Sequence, residues 1–490
     1  QPPEKLARAL DHCIETGQLG VKMLEAVPYI YLPDLLEAEQ AIADRLALLA
    51  KREKQTVRDL DKNIQVLELT QGFAYAPLQR EAIRKAMTEN CLVLTGGPGT
   101  GKTTTVNAIL QLLEHQADRG ALCAPTGRAA KRLSELTGRK ASTIHRLLEV
   151  DYSGGVVSFI HNDKNLLKCD VVILDEMSMV DVKLFQALIA ALRYSCRIIM
   201  VGDADQLPSV GPGNILGEVI RSGLVPTVCL NEIFRQARRS LIVENAHHII
   251  SSEPLQKGGK TDDFFFLESD GDAAQKLVCD LVTTRLPRSY GFDPVRDIQV
   301  LCPTKLGPTG TQALNVELQN LLNPEQKGKP QLQSASRVFR VGDKVMQVRN
   351  NYEIVWNRIG GEQGVGAYNG DIGIVESINM RDRSMVVRMD DRRLLYPAEN
   401  ELEIAYAITV HKSQGSEFPA VVLPVAQVPP RLCYRNLFYT GVTRARKLCI
   451  VAGRRDVVNR MMSNVRQNLR YSGLCELLKE NLPPEQMAAE

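Results

Sequence analysis

The chain has 490 residues, more than one hydrophobic core supports, so we expect several domains. An apolar fraction of 44% is ordinary for a globular protein, no apolar run is long enough to cross a membrane, and a net charge of +3 does not by itself indicate a nucleic-acid binder. The 11 cysteines lack metal-ligand spacing. They indicate free thiols in a reducing compartment, and we expect a cytoplasmic protein without a membrane partner.

Residues 1–70 are predicted to form an N-terminal helical segment. Leu36, Ile42, Leu46 and Leu49 recur at helical spacing, and no residue there indicates chemistry. We therefore expect helices that pack on the rest of the protein. Because the chain begins with Gln rather than Met, we also expect a fragment or a processed product.

A phosphate-binding loop follows the apolar run at 91–94. Residues 96–103 read G-x-x-x-x-G-K-T, and apolar residues at helical spacing come next, which is the strand–loop–helix context that this motif requires. Lys102 is expected to reach the β- and γ-phosphates of a nucleotide, and the Thr103 hydroxyl to ligate Mg²⁺. The residues predicted to surround the phosphates are Gly97, Pro98, Gly99, Thr100, Gly101, Lys102, Thr103 and Thr104.

Strands predicted at 91–94, 120–124, 170–174 and 197–201 alternate with helices, which indicates an α/β domain with a parallel sheet. Asp175 and Glu176 end the third of these strands, so we expect Asp175 to hold Mg²⁺ and Glu176 to act as general base. Gln206 follows the fourth strand and is a candidate sensor of the γ-phosphate. A merely polar turn explains Gln206 equally well.

The rest of the chain predicts a second α/β domain with insertions. A hairpin is predicted within 149–167, where Ser153-Gly154-Gly155 separates two β-type runs. Strands near 227, 298–302, 420–424 and 448–452 indicate the second parallel sheet. Short β-type runs at 331–400 predict a small β-barrel, with 351–367 as a mobile loop.

The ordered motifs resemble superfamily 1 helicases, and among them the RecD-like branch that moves 5′ to 3′. No upstream helix-hairpin-helix module is evident, so the resemblance is to an N-terminally truncated stand-alone RecD type. The match covers about residues 71 to 475. The stretches that carry it are 75–79, 96–103, 124–130, 142–148, 175–176, 202–210, 230–236, 409–418, 439–446 and 470–474.

The resemblance implies two RecA-like domains that bind ATP and Mg²⁺. It implies that Gln79 reads adenine, that Phe234 stacks on it and that Glu417 contacts the ribose. It also implies that Arg235 and Arg444 are arginine fingers, which with Lys102, Glu176 and Gln206 complete the catalytic set. The implied domains are 1–70, 71–222, 223–330, 331–400 (an SH3-like insertion), 401–475 and a tail at 476–490.

The same resemblance implies an ATP-dependent DNA helicase in repair or recombination that acts on single-stranded DNA and on single-strand/duplex junctions. Single-strand-binding or repair proteins are candidate partners. The 207–210 stretch lacks an aromatic residue, which resembles the 5′ to 3′ branch, and the 149–160 hairpin resembles its strand-separation pin. An RNA helicase and a subunit that does not unwind alone remain alternatives. The implied DNA contacts are Thr126, Arg128, Thr143, His145, Thr304, Thr409, His411 and Ser413.

Overall fold

The computed structural model describes residues 3–116, 118–151, 158–232, 239–259, 262–334, 337–358, 360–398, 401–465 and 470–482. The chain forms two compact units, the first made of residues 1–234 and 469–490 and the second of residues 235–468. All eleven cysteines are free thiols, as predicted. Among the described residues, no helix has both the length and the apolar character that crossing a bilayer requires.

The first unit is built on a six-stranded parallel sheet, as the alternating pattern predicted. Its strand order is β10-β3-β9-β8-β4-β5, and the central strands are buried along their whole length because helices cover both faces. The strands and helices of this unit up to residue 230 are α1 (Pro3–Glu15), β1 (Gly20–Leu24), β2 (Val27–Tyr31), α2 (Pro33–Lys51), α3 (Leu60–Gln71), α4 (Pro77–Thr88), β3 (Cys91–Gly96), α5 (Lys102–His115), β4 (Gly120–Ala124), α6 (Gly127–Thr137), β5 (Ala141–Thr143), α7 (Ile144–Leu148), β6 (Val150–Asp151), β7 (Ser158–Phe159), β8 (Val171–Leu174), α8 (Val182–Ala190), β9 (Arg197–Gly202), α9 (Ile215–Ser222) and β10 (Thr227–Leu230).

Residues 1–70 contain helices, as predicted, and also two strands that were not predicted. Strands β1 and β2 form an antiparallel hairpin whose turn is Glu25-Ala26, with φ values of 47° and 63°. The run from Val27 to Tyr31 is rich in β-branched and aromatic residues, which favour strands. Leu24 and Tyr31, the last residues of the two strands, are buried and attach the hairpin to the unit.

The predicted domain boundaries are wrong at two places. Strand β10 was assigned to the second domain, but it pairs with β3 at the edge of the first sheet, with Leu230 opposite Gly96. The predicted second domain also extended to residue 475, but helix α16 (Leu474–Lys479) packs in the first unit, against α2 and α9. Its Leu474, Leu477 and Leu478 share a buried core with α2, and these apolar contacts hold α16 in the first unit.

The second unit contains a five-stranded parallel sheet in the order β11-β24-β23-β12-β22. This confirms a second α/β domain. Its elements outside the insertion are α10 (Leu241–Ser251), β11 (Phe264–Glu268), α11 (Gly271–Asp280), which continues through a π-helical turn (Leu281–Arg285) into α12 (Leu286–Tyr290), β12 (Ile298–Cys302), α13 (Thr311–Leu322), β22 (Ala407–Thr409), β23 (Phe418–Val425), α14 (Arg435–Val442), β24 (Ala445–Gly453) and α15 (Arg455–Ser463).

An all-β insertion interrupts the second unit, as predicted. It contains a small hairpin and a seven-stranded antiparallel sheet in the order β17-β16-β20-β19-β18-β15-β21. The last strand lies just beyond the predicted end at residue 400. The strands are β13 (Gln331–Ser334), β14 (Arg337–Arg340), β15 (Lys344–Gln347), β16 (Asn351–Arg358), β17 (Gln363–Ala367), β18 (Ile372–Asn379), β19 (Ser384–Met389), β20 (Arg392–Pro397) and β21 (Leu402–Ile404).

The prediction of a mobile loop at 351–367 is wrong, since β16 and β17 form a hairpin there. Trp356 pairs with Gly364 across the two strands. A Cβ atom on Gly364 would lie 2.2 Å from the Trp356 ring, so the indole occupies the space that a side chain would take. Gly364 therefore belongs to a strand and is covered by the side chain of its partner strand.

A buried carboxylate fastens the insertion to the second unit. Asp343, in the turn between β14 and β15, is fully buried and accepts hydrogen bonds from Gln319 Nε2 (2.6 Å), Asn323 Nδ2 (2.7 Å), the Arg340 backbone N–H (2.7 Å) and the Tyr406 hydroxyl (3.0 Å). Burial raises the pKa of Asp343, and these donors oppose the rise. One side chain thus joins α13, the insertion and the segment that precedes β22.

Two buried carboxylates fasten the end of the chain to the first unit. The Ser472 hydroxyl lies 2.6 Å from Glu39 Oε1 and 2.7 Å from Glu218 Oε2, and the Gly473 N–H donates to Glu39 (3.0 Å). The Tyr31 hydroxyl donates to the same Glu39 carboxylate (3.0 Å). Burial raises the pKa of Glu39, and burial followed by the charge of Glu39 raises the pKa of Glu218 to about 7.

The raised pKa of Glu218 predicts that the first unit loses stability as pH rises from about 5 to about 8. The folded unit retains a proton that the unfolded chain, with an ordinary pKa of 4.5, releases. The stabilisation that protonated Glu218 adds to the free energy of unfolding is therefore fully present below pH 4.5 and is lost as pH rises through about 7. In Glu218→Gln the free energy of unfolding should fall less over that range, by about 1–3 kcal/mol, since each pKa unit corresponds to about 1.4 kcal/mol.

Urea unfolding at several pH values, followed by amide exchange of β3 and β9, measures this difference. Glu37→Gln is the matched control, because Glu37 lies exposed on the same helix as Glu39. Identical pH slopes for wild type and Glu218→Gln would contradict the raised pKa.

Candidate nucleotide and DNA sites

The phosphate loop lies between β3 and α5, as its sequence predicted. Gly99 and Gly101 have φ values of 73° and 83°, a conformation that glycine adopts without strain. A Cβ on Gly96 would lie 2.5 Å from the Leu230 carbonyl oxygen. Lys102 Nζ donates to the carbonyl oxygens of Gly96 and Gly97, the latter at 2.9 Å. A loop of this shape in front of a helix N-terminus fits the phosphates of a nucleotide.

Gln79 contacts the phosphate loop directly. It is buried on the first turn of α4, where its Oε1 accepts from the Ala76 N–H (3.1 Å) and its Nε2 donates to the Gly101 carbonyl (3.3 Å). The glutamine predicted to read adenine thus lies beside the loop. Its role toward a base stays a prediction.

Asp175 and Glu176 follow β8, two strands away from β3 in the sheet. Asp175 Oδ1 accepts from the Glu176 N–H (2.9 Å), and Glu176 has a φ of 53°. Burial and then the Glu176 charge raise the pKa of Asp175, whereas the ammonium of Lys102 acts to lower it. The Asp175 carboxylate and the Thr103 hydroxyl on α5 are the hard oxygen ligands that fit Mg²⁺.

Gln206 follows β9, the strand between β3 and β8. Its Nε2 donates to Asp203 Oδ2 (3.0 Å). The Ala204 N–H donates to Thr95 Oγ1 (3.3 Å), and Thr95 lies on the strand that leads into the phosphate loop. The structure therefore brings Lys102, Asp175, Glu176 and Gln206 to the carboxyl ends of three adjacent strands.

The DNA-contact candidates of the first unit lie at helix starts. Thr126 and Thr143 cap α6 and α7, where their hydroxyl oxygens accept from the Ala129 N–H (3.3 Å) and the Arg146 N–H (3.1 Å). Both hydroxyls thus have a structural role already. Arg128 is half-buried on α6.

His145 packs against the stem of the predicted hairpin. Its ring centroid lies 5.8 Å from that of Phe159 on β7, and burial lowers its pKa. Strands β6 and β7 pair antiparallel, with Val150 opposite Phe159, which confirms a hairpin. The predicted tip lies outside the described residues.

The candidates of the second unit differ in accessibility. Arg444 is 2% exposed, donates to the Ser416 carbonyl (3.3 Å) and to Thr443 Oγ1 (3.4 Å), and its Nε has no hydrogen-bond partner among the described residues. Glu417 forms an ion pair with Arg446 (2.8 Å). Phe234 and Arg235 lie outside the described residues, so their assignments stay predictions.

Three candidates lie at the end of β22 and in the turn that follows it. Thr409 Oγ1 accepts from the Lys412 N–H (3.4 Å), and His411 Nε2 lies 3.4 Å from the Tyr434 hydroxyl. Ser413 is fully buried and donates to the Val410 carbonyl (2.7 Å), so its side chain holds the turn, and its role toward DNA stays a prediction. Thr304, after β12, accepts from the Leu306 N–H (3.3 Å).

Sequence reasoning missed a basic groove in the second unit. Its cavity of about 510 Å³ is lined by Lys305, Arg337, Glu403, Thr409 and Lys412, among others. Glu403 forms ion pairs with Lys412 (2.8 Å) and Arg337 (3.2 Å). The sequence feature that could have indicated this groove is Lys412, which lies within the 409–418 motif but was given no predicted role.

Three family profiles match the chain. They are an AAA domain at residues 79–212, the SH3 domain of ATP-dependent RecD-like DNA helicases at 314–389, and the UvrD-like helicase C-terminal domain at 404–452. The second match covers most of the all-β insertion and confirms that it is SH3-like.

Known relatives resemble most of the chain. The ATP-dependent RecD2 DNA helicase of Deinococcus radiodurans is 35% identical over 428 residues, a match that covers 86% of this chain and 55% of that protein. The RecBCD enzyme subunit RecD of Mycolicibacterium smegmatis is 31% identical over 479 residues, with 91% and 81% covered. The chain thus spans about half of the Deinococcus protein. A solved Pif1 helicase from Bacteroides, in complex with ADP-AlF3 and single-stranded DNA, is 18% identical over 84% of this chain and 95% of its own, with a TM-score of 0.46.

The phosphate loop predicts that Lys102→Ala abolishes nucleotide hydrolysis without unfolding the protein. Within the described residues the Lys102 ammonium donates hydrogen bonds only to the carbonyls of Gly96 and Gly97, so the fold should persist. Turnover should fall by about 10²–10³-fold, as for other preorganised charge-stabilising groups. ATPase assays and circular dichroism measure the two effects. Lys140→Ala, which removes an exposed lysine from the same unit, is the control. Hydrolysis near the wild-type rate in Lys102→Ala would contradict the site.

Proposed function

This chain belongs to the RecD family of superfamily 1 helicases, and from that premise we propose that it is an ATP-dependent DNA helicase that moves 5′ to 3′ on single-stranded DNA. The observation that carries the proposal is the convergence of Lys102, Asp175, Glu176 and Gln206 at one edge of the first sheet. This set suits phosphoryl transfer to water. We further propose a cytoplasmic role in DNA repair or recombination.

In the proposed reaction Lys102 binds the β- and γ-phosphates in place of its loop carbonyls, because phosphates are stronger, charged acceptors. Thr103 and Asp175 would hold Mg²⁺, which neutralises phosphate charge when it is bound. Glu176 orients the attacking water and accepts its proton. Arg235 and Arg444 of the second unit are proposed to stabilise the charge on the transferred phosphoryl group.

Two features support action on DNA by a sequence-independent grip. Five of the eight candidate contacts carry hydroxyl groups, which suit phosphates better than base edges. The β6–β7 stem packs on His145, itself a candidate contact, so a strand-separating pin beside the DNA path is reasonable. The stretch at 207–210 contains no aromatic residue that could stack on bases, which supports the 5′ to 3′ direction.

A second candidate function is that of a subunit that unwinds only with partners. Relatives named as subunits of the RecBCD enzyme support it. The somewhat higher identity to the RecD2 helicase, 35% against 31%, favours independent activity.

Duplexes with a single-stranded tail on one side test direction. Because the motor is proposed to move 5′ to 3′ along the tail, a duplex with a 5′ tail should be unwound with ATP, and one with a 3′ tail should not. Strand release is followed by fluorescence, with Glu176→Gln as the non-hydrolysing control. Unwinding from the 3′ tail contradicts the direction, equal action on RNA tails supports an RNA helicase, and unwinding only with added partners supports the subunit.

Replacement of residues 152–157 by Asn-Gly tests the pin. The new turn should close the β6–β7 stem as a two-residue hairpin, and no nucleotide contact changes. ATPase stimulated by single-stranded DNA should persist, whereas unwinding of a duplex with a 5′ tail should be lost. The control replaces the turn at 380–383 between β18 and β19 in the same way. Normal unwinding by the shortened protein would mean that the hairpin does not separate strands.

A further inference from the structure

Arg470 binds the loop that follows Gln206. Its Nη1 donates to Ser209 Oγ (3.2 Å) and to the carbonyl oxygens of Gly211 and Gly213 (both 2.5 Å), and its Nη2 donates to the Ser209 carbonyl. Ser209 is buried, and its hydroxyl also donates to Gly211 O (3.0 Å). The Arg470 guanidinium therefore donates hydrogen bonds to three backbone carbonyls of a five-residue segment, here called the 209–213 loop.

The start of α8 holds the same loop from a second direction. A Cβ on Gly211 would lie 2.6 Å from Asp181 Oδ2, and one on Gly213 would lie 2.3 Å from Val182 Cγ2. The Val182 N–H donates to the Pro212 carbonyl (3.1 Å). The loop thus packs against α8 and is bound by Arg470 at the same time.

The loop connects nucleotide and DNA candidates. Gln206, three residues before it, bonds to Asp203, and the adjacent Ala204 bonds to Thr95 beside the phosphate loop. On the other side, Asp181 caps α8 through the Leu184 N–H (2.9 Å), and α8 packs against α7, the helix that carries the candidate DNA contact His145. Both sites therefore adjoin the segment that Arg470 holds.

Arg470 is itself held by a rigid support. Two residues later Ser472 bonds to the buried carboxylates of Glu39 and Glu218, and α16 then enters the core of the first unit. The chain returns from the second unit just before Arg470. An anchored arginine at this return is well placed to fix the geometry of the 209–213 loop.

We propose that Arg470 is a positioning residue that couples DNA binding to ATP hydrolysis by holding the 209–213 loop, and through it Gln206. The inference rests on the proposed function and assigns a role to a residue outside the nucleotide site. A purely structural staple would lower stability and all activities together. Loss of a coupling element instead lowers the ratio of DNA-stimulated to DNA-free ATP turnover, because DNA binding then no longer biases the position of Gln206.

The experiment measures that ratio, together with affinity for a single-stranded oligonucleotide and thermal stability, for wild type, Arg470→Ala and Arg470→Lys. Arg45→Ala is the matched control: Arg45 also donates to backbone carbonyls in the first unit, those of Leu192 and Arg193, but away from the 209–213 loop. The ratio should fall by about five-fold or more in Arg470→Ala, within the usual range of coupling between sites. It should stay at the wild-type value in Arg45→Ala. Arg470→Lys keeps the charge but cannot gather four acceptors, so it should recover the ratio only in part.

A double-mutant cycle with Gln206→Ala tests the route. If Arg470 acts through Gln206, adding Arg470→Ala to Gln206→Ala should not lower the ratio further. A wild-type ratio in Arg470→Ala, a uniform loss of both turnovers, or an additive effect in the cycle would each overturn the inference. If Arg470→Ala does not fold, the ratio in Arg470→Lys decides. A wild-type protein without DNA stimulation would instead overturn the proposed function.

Discussion

The structure of the first unit depends on the parallel pairing of β3, β9 and β8. Parallel strands bring their carboxyl ends to one edge, so residues about 70 to 100 positions apart in sequence meet there. The phosphate loop requires backbone conformations that Gly99 and Gly101 supply, and the bond between Ala204 and Thr95 fixes the neighbouring turn to it. Sheet order, more than any single side chain, therefore creates the candidate site.

Buried polar groups, together with apolar contacts, attach the segments that lie outside the two parallel sheets. Asp343 joins the SH3-like insertion to α13, and Glu39 and Glu218 receive the returning chain through Ser472. Such groups cost free energy unless they are satisfied, so they accept only one arrangement of their partners. Burying these carboxylates costs free energy, and in return their hydrogen bonds favour one relative position of segments that are distant in sequence.

The sequence predicted the elements whose signal is local and missed those that depend on distant contacts. The strand–loop–helix around Lys102, the parallel strands and the β-rich insertion carry their own patterns. Strand β10 was misassigned because its partner β3 lies more than a hundred residues earlier, and no local signal specifies sheet order. Residues 351–367 were assigned to a loop because the contact between the Trp356 indole and Gly364 depends on the pairing of β16 with β17, which no local signal specifies. The burial of Ser413 and the bonds of Arg470 likewise follow only from the fold.

The low net charge of +3 is compatible with the proposed DNA contacts, which rely on hydroxyl groups more than on ion pairs. Thr126 and Thr143 cap helices with the same hydroxyls that were assigned to DNA. A hydroxyl oxygen that accepts from a cap N–H still has its own proton to donate to a phosphate, so the two roles are compatible. Capping also fixes the side chain in advance, which lowers the entropy that is lost on binding. For the proposed motor, which would release its track in every cycle, several such preorganised contacts would serve better than strong ion pairs.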